Sequence, residues 1–155
     1  MDNLDINILK ILQKNNLTPQ RDIGHAIGLS APAVQRRMKR MRETGVIKND
    51  VSVIDQDALG TYVTILVEVF LDRENKGTTE AVRKELEAVL EVQQCFYVSG
   101  ESDFFLIIVV PSMKAYEMLT RRIFLENENI RRFRTIVVMD TIKSSLKIPL
   151  DTKLV

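Results

Sequence analysis

The chain has 155 residues, 45% of them hydrophobic and 28% charged, with a net charge of +1, which is an ordinary globular balance and enough length for one domain or two small ones. A single cysteine, Cys95, and a single histidine, His25, exclude an internal disulfide framework and a clustered metal centre, and point to the cytoplasm. Charge is unevenly spread: residues 1–50 hold 9 Lys and Arg against 5 Asp and Glu, a balance of +4, and residues 51–155 hold 13 against 16, or −3.

The N-terminal stretch MDNLDINILKIL has neither the basic start nor the small-residue cleavage site of a signal peptide, and no apolar run approaches the roughly twenty residues of a membrane helix. It predicts an amphipathic helix with Leu4, Ile8, Ile11 and Leu12 on one face and Asp2 and Asp5 near the positive end of the helix dipole. Thr18-Pro19 then opens a short helix lined by Ile23, Ala26 and Ile27, with His25 at the surface, and Gly28-Leu29 makes a tight corner. Ser30 is a good N-cap for the next helix, because its hydroxyl can accept a bond from an unpaired N–H of the first turn, where Pro32 does no harm. Val34, Met38 and Met41 share one arc of that helix, while Pro32, Gln35, Arg36, Lys39 and Arg40 collect on the other, and Gly45 ends it. Basic residues on an exposed helix are often only solvated surface. Here a short helix, a glycine turn and a basic helix spell a helix-turn-helix, whose second helix enters the major groove of double-stranded DNA. Residues 1–50 are therefore predicted as a DNA-binding domain. The alternation of Val51 and Val53 suggests a short wing or connecting strand within a linker, residues 51–60.

Residues 61–155 change period. Tyr62 to Leu71 alternates as a strand, Asn75-Lys76-Gly77 turns the chain, and Val82, Leu86, Val89 and Leu90 recur at helical spacing. A second strand is predicted from Val92 to Ser99 and a third over FFLIIVV; a helix follows from Met113 to about Glu126, then a last strand from Phe133 to Ile142. Strand, helix, strand, strand, helix, strand is the βαββαβ ferredoxin-like order, so the fold class is α+β, with helices on one face of an antiparallel sheet. Leu66, Phe70 and Val138 would point to the bare face, which a second copy would cover, and a homodimer also presents two recognition helices to two half-sites.

The chain resembles the Lrp/AsnC, or feast/famine, transcription regulators of bacteria and archaea. The matches run in order through Leu4-Asp5, Ile8-Leu9 and Leu12; Gly28-Leu29-Ser30; Val34, Arg36-Arg37 and Lys39; Gly45-Val46-Ile47; and Tyr97-Val98-Ser99-Gly100 followed by Asp103. The resemblance implies a sequence-specific DNA-binding regulator with Ser30, Pro32, Ala33, Gln35, Arg36, Arg37, Lys39 and Arg40 toward DNA. It also implies dimers that can assemble to octamers, and an amino-acid effector at a subunit interface beside Ser99, Gly100, Glu101, Ser102 and Asp103, with Thr135 near the ligand. Phe133 departs from the small polar residue common at its position. The chemistry suits the loop, since Gly100 lets a carboxylate approach backbone N–H groups and Asp103 can hold an ammonium, although an aspartate in a turn also commonly bonds the backbone.

No catalytic residues, metal site or cofactor are expected, because the chain has no nucleophile and histidine pairing, no phosphate loop and no metal-ligand spacing. An amino-acid sensor working mainly through protein contacts is the alternative from another class, and the charge of the basic helix argues against it. A catalytic ferredoxin-like domain with a DNA anchor is a third.

Overall fold

The structure is a computed structural model that describes residues 1–72 and 77–150, so the predicted turn at Asn75-Lys76 lies outside the described residues. The chain divides into two compact units, one of Met1–Val53 with the tail from Lys143 onward, the other Ile54–Ile142.

The first unit packs α1 (Asn3–Leu12), α2 (Gln20–Ile27) and α3 (Ala31–Glu43) around Ile8, Ile23, Val34, Met38 and Met41, all buried. Asp2 caps α1 by accepting from Asp5 N–H at 2.9 Å while the Asp5 carboxylate accepts from Asp2 N–H at 3.0 Å, a reciprocal capping box. The N-cap of α2 is Pro19 rather than Thr18, because the Thr18 hydroxyl donates backward to Asn15 O at 2.7 Å. Ala26 is exposed, and Gly24 takes the inward place beside Ile23. Gly28 (φ 74°) ends α2 and Gly45 (φ 74°) follows α3, both in the left-handed region where glycine carries no steric penalty. In the tail, Ile148 exchanges two hydrogen bonds with the Gln13 amide, at 3.1 and 2.7 Å.

The predicted wing strand does not form. Residues 51–55 have no regular structure, with Val53 94% exposed, because alternation alone does not make a strand without a neighbour to complete its hydrogen bonds. A short helix, α4 (Gln56–Leu59), occupies the predicted boundary instead.

The second unit contains β1 (Val63–Leu71), α5 (Thr78–Glu87), β2 (Val92–Tyr97), β3 (Phe104–Val110), α6 (Met113–Thr120) and β4 (Ile130–Val137) in one antiparallel sheet of order β2-β3-β1-β4. Ile65, Val67, Val69 and Leu71 from β1 and Phe104, Leu106, Ile108 and Val110 from β3 share a core with Val82 and Leu86 of α5 and Tyr116 and Leu119 of α6, which places the helices on one face. The second predicted helix of this unit covers the expected span, but after Thr120 its α-helical turns give way to a π-helical turn, Arg121–Leu125, with Glu126 as its cap. Phe124 in this turn is buried, with its ring 4.7 Å from that of Phe133. The last strand begins at Ile130 rather than Phe133 and ends at Val137.

Leu66 and Phe70 lie on the opposite face, in register with Ile136 and Arg132, and Val138 follows the same alternation. Arg132 lies 3.8 Å over the Phe70 ring, Arg134 pairs with Glu68, and Phe96 is 48% exposed beside Phe105. No helix among the described residues is long and apolar enough to cross a membrane.

Candidate nucleic-acid interface and effector loop

The Ser30 hydroxyl accepts from Ala33 N–H at 3.4 Å and starts α3, with Pro32 in the first turn. The buried arc of Val34, Met38 and Met41 fixes which side faces inward, leaving Pro32, Gln35, Arg36, Lys39 and Arg40 exposed and Ala33 half-buried.

The five cations of this helix are not equivalent. Arg36 has no hydrogen bond or ion pair among the described residues. Lys39 lies 3.7 Å from Glu43, both well exposed, a contact of little strength. Arg42 pairs with Asp50 at 2.9 Å. Arg37, expected on the DNA-facing side, instead reaches α1: its Nη1 donates to Asp2 Oδ2 and Asp5 Oδ1, each at 2.8 Å, and its side chain is only 24% exposed. Arg40 also bonds Asp5, with Nη2 2.6 Å from Oδ2, yet keeps 56% of its side chain exposed. The physical reason is Asp5, a fully buried carboxylate that must be paired. The sequence carried a signal: at helical spacing Asp5 falls inside the apolar arc beside Ile8 and Leu12, where an acid demands a partner.

Burial pushes the Asp5 carboxyl up, but bonds from the Asp2 backbone and from Arg37 outweigh it, so it lies below the ordinary carboxylate value. Asp2 is lowered by the Asp5 N–H and by Arg37, and Arg37 is raised by both carboxylates.

Gly24 is a second feature that periodicity missed. A Cβ there would lie 2.3 Å from the carbonyl oxygen of Leu29, and Leu29 N–H donates to Gly24 O at 2.9 Å. The corner between α2 and α3 closes directly on this backbone. A glycine inside a helix, which costs about 1 kcal/mol relative to alanine, was the available hint.

In the second unit, Ser99, Gly100 and Glu101 are exposed and Ser102 and Asp103 half-buried, in the bend between β2 and β3. Asp103 is built into the sheet end: its N–H donates to Val69 O at 2.9 Å, its carbonyl accepts from Val98 N–H at 3.0 Å, and its Oδ2 accepts from Leu71 N–H at 2.8 Å. The carboxylate thus bonds backbone, but that of β1 rather than its own turn. Gly100 has no positive φ, and nothing lies within 4 Å of the place a Cβ would take, so neither conformation nor crowding in the single chain calls for glycine there. Arg134 is raised chiefly by its bond to Glu68, with a smaller effect of Glu101.

Thr135 is not joined to the loop by any hydrogen bond among the described residues. It lies opposite Val67 on the helix side and shares a 2.6 Å hydroxyl contact with Tyr116. Burial pushes the Tyr116 phenol up, against a smaller opposing effect of Thr135. A hollow of about 290 Å³ lined by Arg83, Leu86, Glu87, Val92, Gln93 and Cys95 and another of about 450 Å³ around Arg122 and Asn129 both lie outside residues 99–103.

Known proteins match both units. Residues 1–48 match the winged helix-turn-helix DNA-binding family, and residues 64–148 match the Lrp/AsnC ligand binding domain. The HTH-type transcriptional regulator y4tD of Sinorhizobium fredii is 39% identical over 151 residues, 97% of this chain and 89% of its own. The leucine-responsive regulatory protein of Escherichia coli is 29% identical over 153 residues, 99% of this chain and 93% of its own. A crystal structure of an AsnC family transcriptional regulator from Agrobacterium tumefaciens superimposes with a TM-score of 0.89 at 30% identity, covering 99% of this chain and 100% of that one. A basic helix following a tight corner, an antiparallel sheet with helices on one face, and these matches across nearly the whole length have one reading: the chain belongs to the Lrp/AsnC family of DNA-binding transcription regulators, which are not enzymes.

Proposed function

We propose that the protein reads specific DNA sequences in the cytoplasm with the outer face of α3, as a homodimer joined through its bare sheet faces, and that an amino acid bound at residues 99–103 changes its DNA affinity. The observation that carries the reading is Arg36, exposed in the first half of α3 beside Gln35 and without an intramolecular partner among the described residues. An arginine fork matches the O6 and N7 acceptors of guanine, and a glutamine amide matches adenine. Lys39 and Arg40 supply phosphate contacts, which position the protein without reading sequence.

The effector part is supported by the description of the matched domain as ligand binding and by the name of the leucine-responsive relative. Open space at Gly100 leaves room for a ligand carboxylate near backbone N–H groups. Asp103, whose Oδ2 accepts from Leu71 N–H, supplies negative charge for an ammonium. The loop lies at the end of the sheet where β2 turns into β3, bonded to the end of β1, so a second chain laid on the sheet would help enclose the site.

The test recovers DNA fragments selected by the purified protein from a random pool, then measures their affinity with and without each of the twenty amino acids. Arg36→Ala is expected to cost about 1 to 3 kcal/mol on the selected fragment. Asp103→Asn keeps an acceptor for Leu71 while removing the charge, so amino-acid response is lost and DNA binding without amino acid persists. Calorimetry in which no amino acid binds wild type, or one binds both proteins equally, removes the loop from the effector site.

A further inference from the structure

Asp5 has both oxygens engaged, and the two arginines that meet it do so unequally. Its Oδ1 is held by Arg37 at 2.8 Å, while its Oδ2 is shared by the Asp2 N–H at 3.0 Å and Arg40 at 2.6 Å. Removing Arg40 leaves each oxygen with a donor; removing Arg37 strips Oδ1 of the donor that holds it. Arg37 also grips the Asp2 carboxylate through both oxygens, at 3.0 and 2.8 Å, and Asp2 is the residue that caps α1. One guanidinium therefore joins the first turn of α1 to the middle of α3. The apolar contacts beneath, Val34, Met38 and Met41 against Ile8 and Ile23, are non-directional and tolerate sliding and rolling. Three charge-assisted bonds from one nitrogen, Nη1, to two carboxylates fix the place of that nitrogen between the two helices.

We propose that Arg37 is a positioning residue for DNA reading: held by Asp2 and Asp5, it fixes the roll of α3 about its own axis against α1, so that Arg36 and Gln35 meet base edges, and it makes no phosphate contact itself. Arg40 has a different part. More than half of its side chain is exposed, and Asp5 keeps a donor on each oxygen when Arg40 leaves, so Arg40 is free to turn to phosphate while Arg37 is not. This inference rests on α3 being the DNA reader.

The experiment uses the full chain and two probes: a fragment selected by wild type from a random pool and a scrambled fragment of equal length, each titrated over a range of salt. Arg37→Met keeps the apolar stem without the guanidinium, Arg37→Lys keeps the charge but ends one bond short of the Nη1 position, and Asp5→Asn removes a carboxylate from a residue buried away from solvent. All three are expected to lower the ratio of selected to scrambled affinity roughly ten-fold or more, about the discrimination carried by one base pair, with the salt slope on the scrambled fragment unchanged. Arg40→Met is expected to lower that slope by about 1, the mark of a lost phosphate contact. Backbone amide shifts in α1 and α3 identify any variant that does not fold, and Arg37→Lys, the mildest change, then carries the decision. An Arg37→Met salt slope lowered by about 1 together with full retention of the ratio in Arg37→Lys makes Arg37 a phosphate contact and overturns the proposal. A ratio unchanged in all three variants reduces the bridge to simple bracing and also overturns it. Wild type that prefers neither probe overturns the reading of α3 itself, and the proposal with it.

Discussion

Two glycines separate what the fold needs from what a ligand needs. Gly24 sits in α2 with no room for a methyl group, since the obstructing atom at 2.3 Å is backbone and cannot swing aside. Gly24→Ala gains about 1 kcal/mol of helix propensity, yet overpacking against a rigid corner typically costs about 1 to 3 kcal/mol or more. Because the obstructing atom is backbone, the cost lies toward the upper end of that range, and after the propensity gain the urea midpoint of the helical unit is expected to fall by the equivalent of about 1 to 2 kcal/mol. Gly100 is the opposite case, with open space where a Cβ would stand. Gly100→Ala is expected to leave stability within about 0.5 kcal/mol while weakening amino-acid binding, as calorimetry would read. Unaltered binding would place the ligand elsewhere.

Among elements, the α1–α3 pair combines a small apolar core with a buried carboxylate, and so carries a pH dependence. Asp2 and Asp5 are both held below the ordinary 3.8, Asp2 chiefly by the Asp5 N–H, Asp5 by the Asp2 N–H and Arg37 against the opposing effect of burial. Each therefore binds fewer protons in the native than in the unfolded chain, so stability rises with pH through this range. The contribution is complete above pH 3.8 and is lost as pH falls through the lower native values. Unfolding followed at amides of α1 and α3 from about pH 6 to about pH 3 is expected to show wild type weakening steeply below about pH 4. Asp5→Asn starts from a lower stability and declines less steeply. Parallel curves for the two proteins would mean that Asp5 does not titrate with folding.

At the scale of the molecule, the sheet has a dry side under α5 and α6 and an open side on which Phe96 and Ile136 are exposed, Leu66 is half-buried and Phe70 is covered, with Arg132 over its ring, around the Glu68–Arg134 pair. A partly apolar, partly charged face suits a twofold partner, because apolar contact drives association and ion pairs set register. Wild type is expected to sediment as a dimer or a higher assembly at micromolar concentration. Leu66→Glu combined with Phe96→Glu should yield a folded monomer, since neither residue belongs to the helix-side core. A monomeric wild type would remove the dimer.

Local chemistry made much of this protein legible before its structure. Ser30 with Pro32 marks the start of α3, Gly28 and Gly45 mark the ends of α2 and α3, and alternation of Ile65, Val67 and Val69 marks β1 and its inward face; each signal depends only on neighbours within a few residues. The order of elements then left one familiar topology. Most of the missing parts depended on partners beyond the window of local spacing. Val51 and Val53 alternate like a strand but have no strand beside them. The extra residue of the π-helical turn accompanies the packing of Phe124 against Phe133. Asp103 is committed to the backbone of Leu71, 32 residues away. Arg37 looked like one more cation on a basic helix and is claimed by carboxylates 35 and 32 residues earlier. Sequence spacing by itself determined most of the apolar faces, with Ala26 and Leu90 as exposed exceptions, because burial follows periodicity. Only the tertiary structure decided which charged groups remain available for a partner, because a buried carboxylate takes its counter-ions from whichever side chains the fold brings within reach.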